Sequence, residues 1–128
     1  MFLSKKKLWR KKTVTPDEVM AKIEPGMNIF IGTGAAEPRT LINCLMQAEE
    51  GSLQDLTLIQ LVSFGDAISY NALQSKKYRL KTFFSGWVSA KAISEGRVDL
   101  VPARFSAIPL LMKERQIPIN VAFIQISE

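Results

Sequence analysis

Apolar positions along this chain fall into alternating helical and strand-like rhythms. Thr15-Pro16-Asp17-Glu18 predicts a helix start: a hydroxyl cap, a proline at the first helical position and a glutamate placed to complete a capping box. Val19, Met20 and Ile23 supply its buried stripe. Pro25-Gly26 stops that helix and leads into Met27–Ile31, an apolar run of strand length bounded by Gly32-Thr33-Gly34. Pro38 opens the next helix, where Leu41, Ile42, Leu45, Met46 and Ala48 recur at helical spacing until Glu49-Glu50-Gly51. Leu56 to Val62 reads as a second strand, apolar except for Thr57 and Gln60, as suits a strand covered on both faces. A loop follows at Ser63-Phe64-Gly65-Asp66, then a short helix through Ile68 and Leu73 and an alternating strand from Tyr78 to Phe84. Ser89 to Glu95 predicts a helix ended by Gly96, Val98 to Val101 a strand stopped by Pro102, Phe105 to Arg115 a helix, and Asn120 to Ile126 a last strand.

Strands alternating with helices predict an α/β fold with a mostly parallel sheet and flanking helices, built from right-handed βαβ units. Because an α/β sheet usually runs on from a strand into a loop carrying site residues, a chain ending at Ser127-Glu128 is expected to be an interrupted fold.

The 128 residues are 47% hydrophobic, enough to fill the core of one ordinary domain. The net charge of +5 suggests a polyanionic partner until the charges are located. Six of the 17 basic residues, Lys5, Lys6, Lys7, Arg10, Lys11 and Lys12, fall in an arm over residues 1–12, which leaves 11 basic against 12 acidic side chains in the body at 13–128. Such an arm is either a solvated terminus or a contact for nucleic acid, whose affinity would fall steeply with salt. The basic run is not followed by an apolar core, so no secretory signal is expected, and no apolar run reaches the roughly 18 residues of a membrane span. One cysteine, Cys44, and no histidine exclude an internal disulfide, a Cys/His dyad and the common zinc sites.

The strongest chemical signal is Gly32-Thr33-Gly34-Ala35-Ala36-Glu37-Pro38 between a strand and a helix. Backbone amides and a helix N-terminus can hold a phosphate or carboxylate there, and a tight turn that needs glycine is the equal alternative. As a dinucleotide fingerprint the loop fails, because Glu37 occupies the third glycine position, where its charge would repel a pyrophosphate. Glu37 is a candidate base or nucleophile, against the commoner role of a solvated or capping carboxylate. Ser63 could donate a hydrogen bond to a ligand or belong to a plain loop. Phe83, Phe84 and Trp87 either line a pocket or fill the core, the usual fate of large aromatics near a strand end.

Three segments together resemble the amino-terminal domain of the acetyl-CoA hydrolase/transferase family, which includes acetate and 4-hydroxybutyrate CoA-transferases. They are FIGTGAAEPRTL (Phe30 to Leu41), FFSGWVSAKAISEGRVDLVPARFSAIPLL (Phe83 to Leu111) and IPINVAFIQIS (Ile117 to Ser127), and the similarity covers about residues 13–128. Where family members often carry arginine in the helix after the glycine, this chain has Ala90 and Lys91.

The resemblance implies half of a CoA-transferase-like (NagB/RpiA/CoA-transferase type) fold and an enzyme that moves CoA between short carboxylic acids, or releases it to water, through a glutamyl-CoA thioester. The nucleophilic glutamate and a PDEHG-like loop lie downstream in a longer protein, so no catalytic residue is assigned here and the isolated chain is expected to lack turnover. By the same resemblance Gly32, Thr33, Gly34, Ala35 and Glu37 help shape the carboxylate and acyl pocket, with Ser63 and Gly65 close by. Arg97 and Arg104 are placed to pair with CoA phosphates or with acidic neighbours. No cofactor is held permanently; coenzyme A and acyl-CoA are substrates. The expected partners are a small carboxylate, the carboxy-terminal half of the enzyme and further copies of the full-length chain, in the cytoplasm and away from membranes. A non-catalytic anion- or CoA-binding domain and a nucleic-acid binder acting through the arm are the alternatives.

Overall fold

A computed structural model describes residues 9–48, 53–62, 68 and 77–126. The first helix, α1 (Pro16–Met20), starts as its sequence predicts: Thr15 N–H donates to Glu18 Oε2 at 2.7 Å and Glu18 N–H donates to Thr15 Oγ1 at 3.3 Å, a complete capping box. Gly26, at φ +81°, turns the chain into β1 (Asn28–Ile31). A single 3-10 turn at Gly34–Ala36 and Pro38 then lead into α2 (Arg39–Gln47), followed by β2 (Leu56–Gln60) and β3 (Tyr78–Thr82). Next come α3 (Trp87–Ser94), β4 (Val98–Leu100), a 3-10 turn at Phe105–Ala107, α4 (Ile108–Lys113) and β5 (Val121–Phe123).

The five strands form one all-parallel sheet in the order β4-β3-β2-β1-β5. The chain winds outward from β1 to β4, then returns to lay β5 on the other side of β1. The side on which each helix lies follows from that reversal, because crossovers of one hand place their helices on opposite faces when they run in opposite directions. Ile42 and Leu45 of α2 and Ala92 of α3 pack with Ile29, Ile31, Leu56, Leu58 and Leu80 on the first face. Ile108, Leu111 and Met112 of α4 meet Phe30 and Ile59 on the second. Neighbouring residues of a strand point to opposite faces, so these two sets come from alternate positions of the same strands.

Three elements differ from the sequence expectation at their ends. Helix α3 begins at Trp87, two residues before Ser89, because the Ser89 hydroxyl sits inside the first turn and accepts the Gly86 N–H at 2.9 Å. The predicted helix from Phe105 opens as a 3-10 turn and is α-helical only over Ile108–Lys113. The last strand spans Val121–Phe123, because Gly32 N–H makes the final bond to it, on Phe123 O at 2.8 Å, and β1 offers no partner beyond. The predicted loop at 63–66 and most of the predicted helix at 67–77 lie outside the described residues, although Ile68 is buried in the first core.

At the end of α2, carbonyls that lack helical partners are taken by the residues that open β3. Tyr78 Oη donates to Leu45 O at 2.6 Å, and Lys77 Nζ donates to the carbonyls of Leu45 and Ala48. The ammonium also suits the negative end of the helix dipole. Replacing Tyr78 with phenylalanine should therefore cost about 1–2 kcal/mol in urea unfolding, with the slope unchanged.

The capping box also has a pH signature. Glu18 is held below its ordinary value of 4.5, first because its carboxylate accepts the Thr15 backbone N–H and then because it accepts the Thr15 hydroxyl. A depressed carboxyl contributes stability that is complete above pH 4.5 and is lost as pH falls through the lowered folded value. Melting temperatures should show wild type above Glu18→Gln at pH 6, the gap closing on acidification below 4.5.

Candidate functional site

The reversal of winding places a switch point between β1 and β5, and in open α/β sheets ligands bind beyond the carboxyl ends of the strands at such a point. Here the loop folds back on the end of β1 so closely that only glycine fits at residue 32. A Cβ there would stand 2.9 Å from Ala36 O and 3.5 Å from Phe123 O, both backbone atoms. Gly34 follows with φ +67°, a conformation glycine adopts without penalty. Both alternatives for this loop thus include a real demand for glycine.

The amides at the two ends of the loop are consumed internally. Gly32 N–H bonds Phe123 O, Glu37 N–H bonds Gly34 O at 3.1 Å and Arg39 N–H bonds Glu37 O at 2.9 Å. Thr33 and Gly34 are half-buried, and Ala35 is exposed. Thr33 Oγ1 accepts the Leu61 N–H at 3.2 Å and so ties the loop to the end of β2. Ser63 and Gly65, the other expected site residues, lie outside the described residues.

Glu37 is neither solvated nor a helix cap: it is 6% exposed, its carboxylate turned onto Gln60, the last residue of β2, which is 1% exposed. Gln60 Nε2 donates to Glu37 Oε1 at 3.4 Å, while Glu37 Oε2 and Gln60 Oε1 have no partner. Exchanging the amide oxygen and nitrogen would set two oxygens against each other, so this orientation is the attractive one. Each unmet buried acceptor costs about 1–3 kcal/mol.

Gln60 continues the series Leu56, Leu58 on the first face of β2, and its register partner in β3 is Thr82, also buried. Polar side chains thus replace leucines where the core meets the carboxyl edge. Thr82 does not help Gln60, because its hydroxyl is committed to the carbonyls of Leu61 (3.1 Å) and Phe84 (2.9 Å). Gln60 stood out in the sequence only as a polar interruption of a strand; nothing local linked it to Glu37.

Of the aromatics, Phe83 is core, Phe84 stacks on Phe105 with centroids 6.3 Å apart, and Trp87 is 100% exposed, which rules out the core alternative for it. Trp87 opens α3, so its side chain leans back past the helix end and away from the sheet. Arg97 pairs with Glu95 at 3.2 Å, the ordinary surface arrangement. Cys44 is half-buried on α2. Among the described residues no cluster of three or more His, Cys, Asp or Glu could hold a metal ion, and no helix is long and apolar enough to cross a membrane.

Residues 3–128 match the family model described as the acetyl-CoA hydrolase/transferase N-terminal domain. The chain belongs to that family. It is 28% identical over 121 residues to a 4-hydroxybutyrate coenzyme A transferase of Clostridium kluyveri, covering 94% of this chain and 28% of that protein. It is 32% identical over 112 residues to a succinyl-CoA:acetate/propanoyl-CoA:succinate CoA transferase of Fasciola hepatica, covering 87% of this chain and 23% of that one. The chain thus spans about a quarter of the length of these relatives. In structure it resembles RipA from Yersinia pestis, with a TM-score of 0.75 and 23% identity over 93% of this chain and 30% of that one, a likeness of fold.

The crowding at Gly32 generates a test. Gly32→Ala should destabilise the domain by about 1–3 kcal/mol in chemical denaturation, since the added methyl meets the Ala36 carbonyl, backbone that can yield only by shifting the 3-10 turn.

Proposed function

We propose that this chain is the amino-terminal part of a CoA-transferase or acyl-CoA hydrolase that acts on short acyl-CoA and a small carboxylate through a glutamyl-CoA thioester, with the glutamate outside these 128 residues. The observation that carries the reading is the family match over residues 3–128, supported by a switch-point edge of the kind where α/β enzymes bind ligands. In such a scheme the CoA thiol passes from the acyl group to the glutamyl carboxyl, releasing the first acid. An acceptor carboxylate then takes the CoA as a new acyl-CoA thioester, or water hydrolyses the thioester and frees CoA, and the enzyme carboxylate is regenerated.

This chain's own part is to shape one wall of the site. Gly32, Thr33, Gly34, Ala35 and Glu37 form its loop, with Ser63 and Gly65 from the end of the next strand. CoA comes and goes as substrate. The complete enzyme works in the cytoplasm as a homo-oligomer. Of the arginines in the family segment, Arg97 is engaged with Glu95 at the surface and Arg104 is exposed.

Acetyl-CoA hydrolysis and acetate-dependent CoA transfer by this chain, measured alone and mixed with the downstream segment of a full-length relative, test the reading. Turnover only in the mixture is the expected result. Turnover by the chain alone would move the nucleophile into these residues and overturn the proposal.

A further inference from the structure

Among the described residues, two buried side-chain atoms lack a partner, and they belong to one contact, the Glu37–Gln60 pair. Both are oxygens that accept hydrogen bonds. Three donors on these residues or beside them in the sheet are spent elsewhere: Leu61 N–H on Thr33, the Thr82 hydroxyl on Leu61 and Phe84, and Glu37 N–H on Gly34. A carboxylate and an amide oxygen set side by side make a negative site. They repel a substrate carboxylate and attract a neutral group that can donate.

We propose that Glu37 and Gln60 together recognise a hydrogen-bond donor, a hydroxyl or amide N–H, on the uncharged part of the molecule bound at the carboxyl edge, and turn its carboxylate away. The inference rests on the edge belonging to the acyl-CoA site, and it refines that reading, because the loop then contacts the body of the acyl group or the CoA arm and not the carboxylate. The donor has two available sources: a hydroxyl on the acyl chain, or an amide N–H of the pantetheine arm of CoA. In either case the pair acts as a specificity device. A site built to satisfy a substrate O–H or N–H discriminates strongly against an analogue lacking it, since the buried oxygens are then left unpaired.

Glu37→Gln separates this role from a structural one. The new amide keeps the shape of the side chain, accepts from Gln60 Nε2 as before, and now also donates to Gln60 Oε1. The pair closes on itself, so the protein should melt higher, by roughly 2–5 °C, while recognition is lost. In the full-length enzyme the kcat/KM ratio of 4-hydroxybutyrate to pentanoate, which carries a methyl in place of the hydroxyl, should fall roughly tenfold if the donor is the acyl hydroxyl. If it is the pantetheine N–H, that ratio stays level and KM for acetyl-CoA rises by a similar factor with kcat little changed. Gln60→Met, which removes the amide oxygen without supplying a donor, should weaken the same parameter with no gain in melting temperature.

An unchanged melting temperature in Glu37→Gln, or one in which neither kinetic parameter moves more than about twofold, would overturn the proposal and leave the pair bridged by an ordered water only. Failure of the underlying reading looks different: wild type would transfer CoA to no acid at all. In that event the side-chain amide resonances of Gln60 decide, and a shift on adding 4-hydroxybutyrate or pantetheine but not pentanoate supports the donor site. Equal or absent shifts sink it.

Discussion

The structure depends on how tightly the chain folds back at the end of β1. Strand β1 is only four residues long, yet it is paired on both sides, with β2 and with β5, and both its first-face side chains, Ile29 and Ile31, are fully buried. At its end Gly32 bonds Phe123 O of β5 while the loop returns so near that a Cβ would stand 2.9 Å from Ala36 O, and residue 32 must be glycine. From that contact the rest follows. The chain must leave β1 upward and fold back tightly, through Gly34 in a left-handed conformation and a single 3-10 turn, before α2 can begin. The return sets Glu37 over the end of β2, where Gln60 already points to the same face. A close packing demand at the switch point thus brings two polar side chains 23 residues apart into one contact.

The two ends of the sheet handle buried polarity differently. At the amino end of β3, Lys77 and Tyr78 are both buried, and their polar atoms are spent on the open carbonyls of α2. At the carboxyl ends of β1 and β2, Glu37 and Gln60 are equally buried and each keeps an unused acceptor. The first arrangement strengthens the fold; the second weakens it. Proteins that break the rule of polar satisfaction in one place, and satisfy it elsewhere on the same face, tend to do so where a ligand supplies what is missing. The break lies on the edge that topology independently assigns to ligands.

Much of the architecture was legible in the residues because it is locally encoded. The capping box at Thr15, the Pro25-Gly26 turn and the apolar strands each announce themselves within a few positions, and alternation of helices with strands predicts the parallel sheet. Element ends were less legible, since they depend on partners. Ile124 and Ile126 have strand character but no neighbouring strand to pair with, and Ser89 marks a helix start from inside the first turn. Trp87 misleads for a related reason: its composition suggests core, while its place at the first helical residue directs it to solvent. The loop from Gly32 to Glu37 was visible as a candidate site, but its chemistry was not. A glycine-rich turn before a helix suggests an anion cradle, and only the three-dimensional contact shows the amides at its two ends engaged and a carboxylate paired with Gln60.

Recognition by such a pair works only in a dry site, because water offers the same donor that a substrate does. Many α/β enzymes gain dryness by closing a lid after binding. Here the two side chains are already almost wholly covered by their own domain, so the energetic difference between a hydroxyl and a methyl is set before any closure. Large apolar side chains are exposed after three of the strands: Trp87 after β3, Phe105 after β4, and Ile124 and Ile126 after β5. Exposed apolar side chains of this kind favour the burial of a flexible, largely uncharged chain against them, and on the proposed reading the inner oxygen pair would fix how far along that chain a polar group must lie. On that reading the apolar side chains would supply affinity without register and the pair register with little affinity of its own.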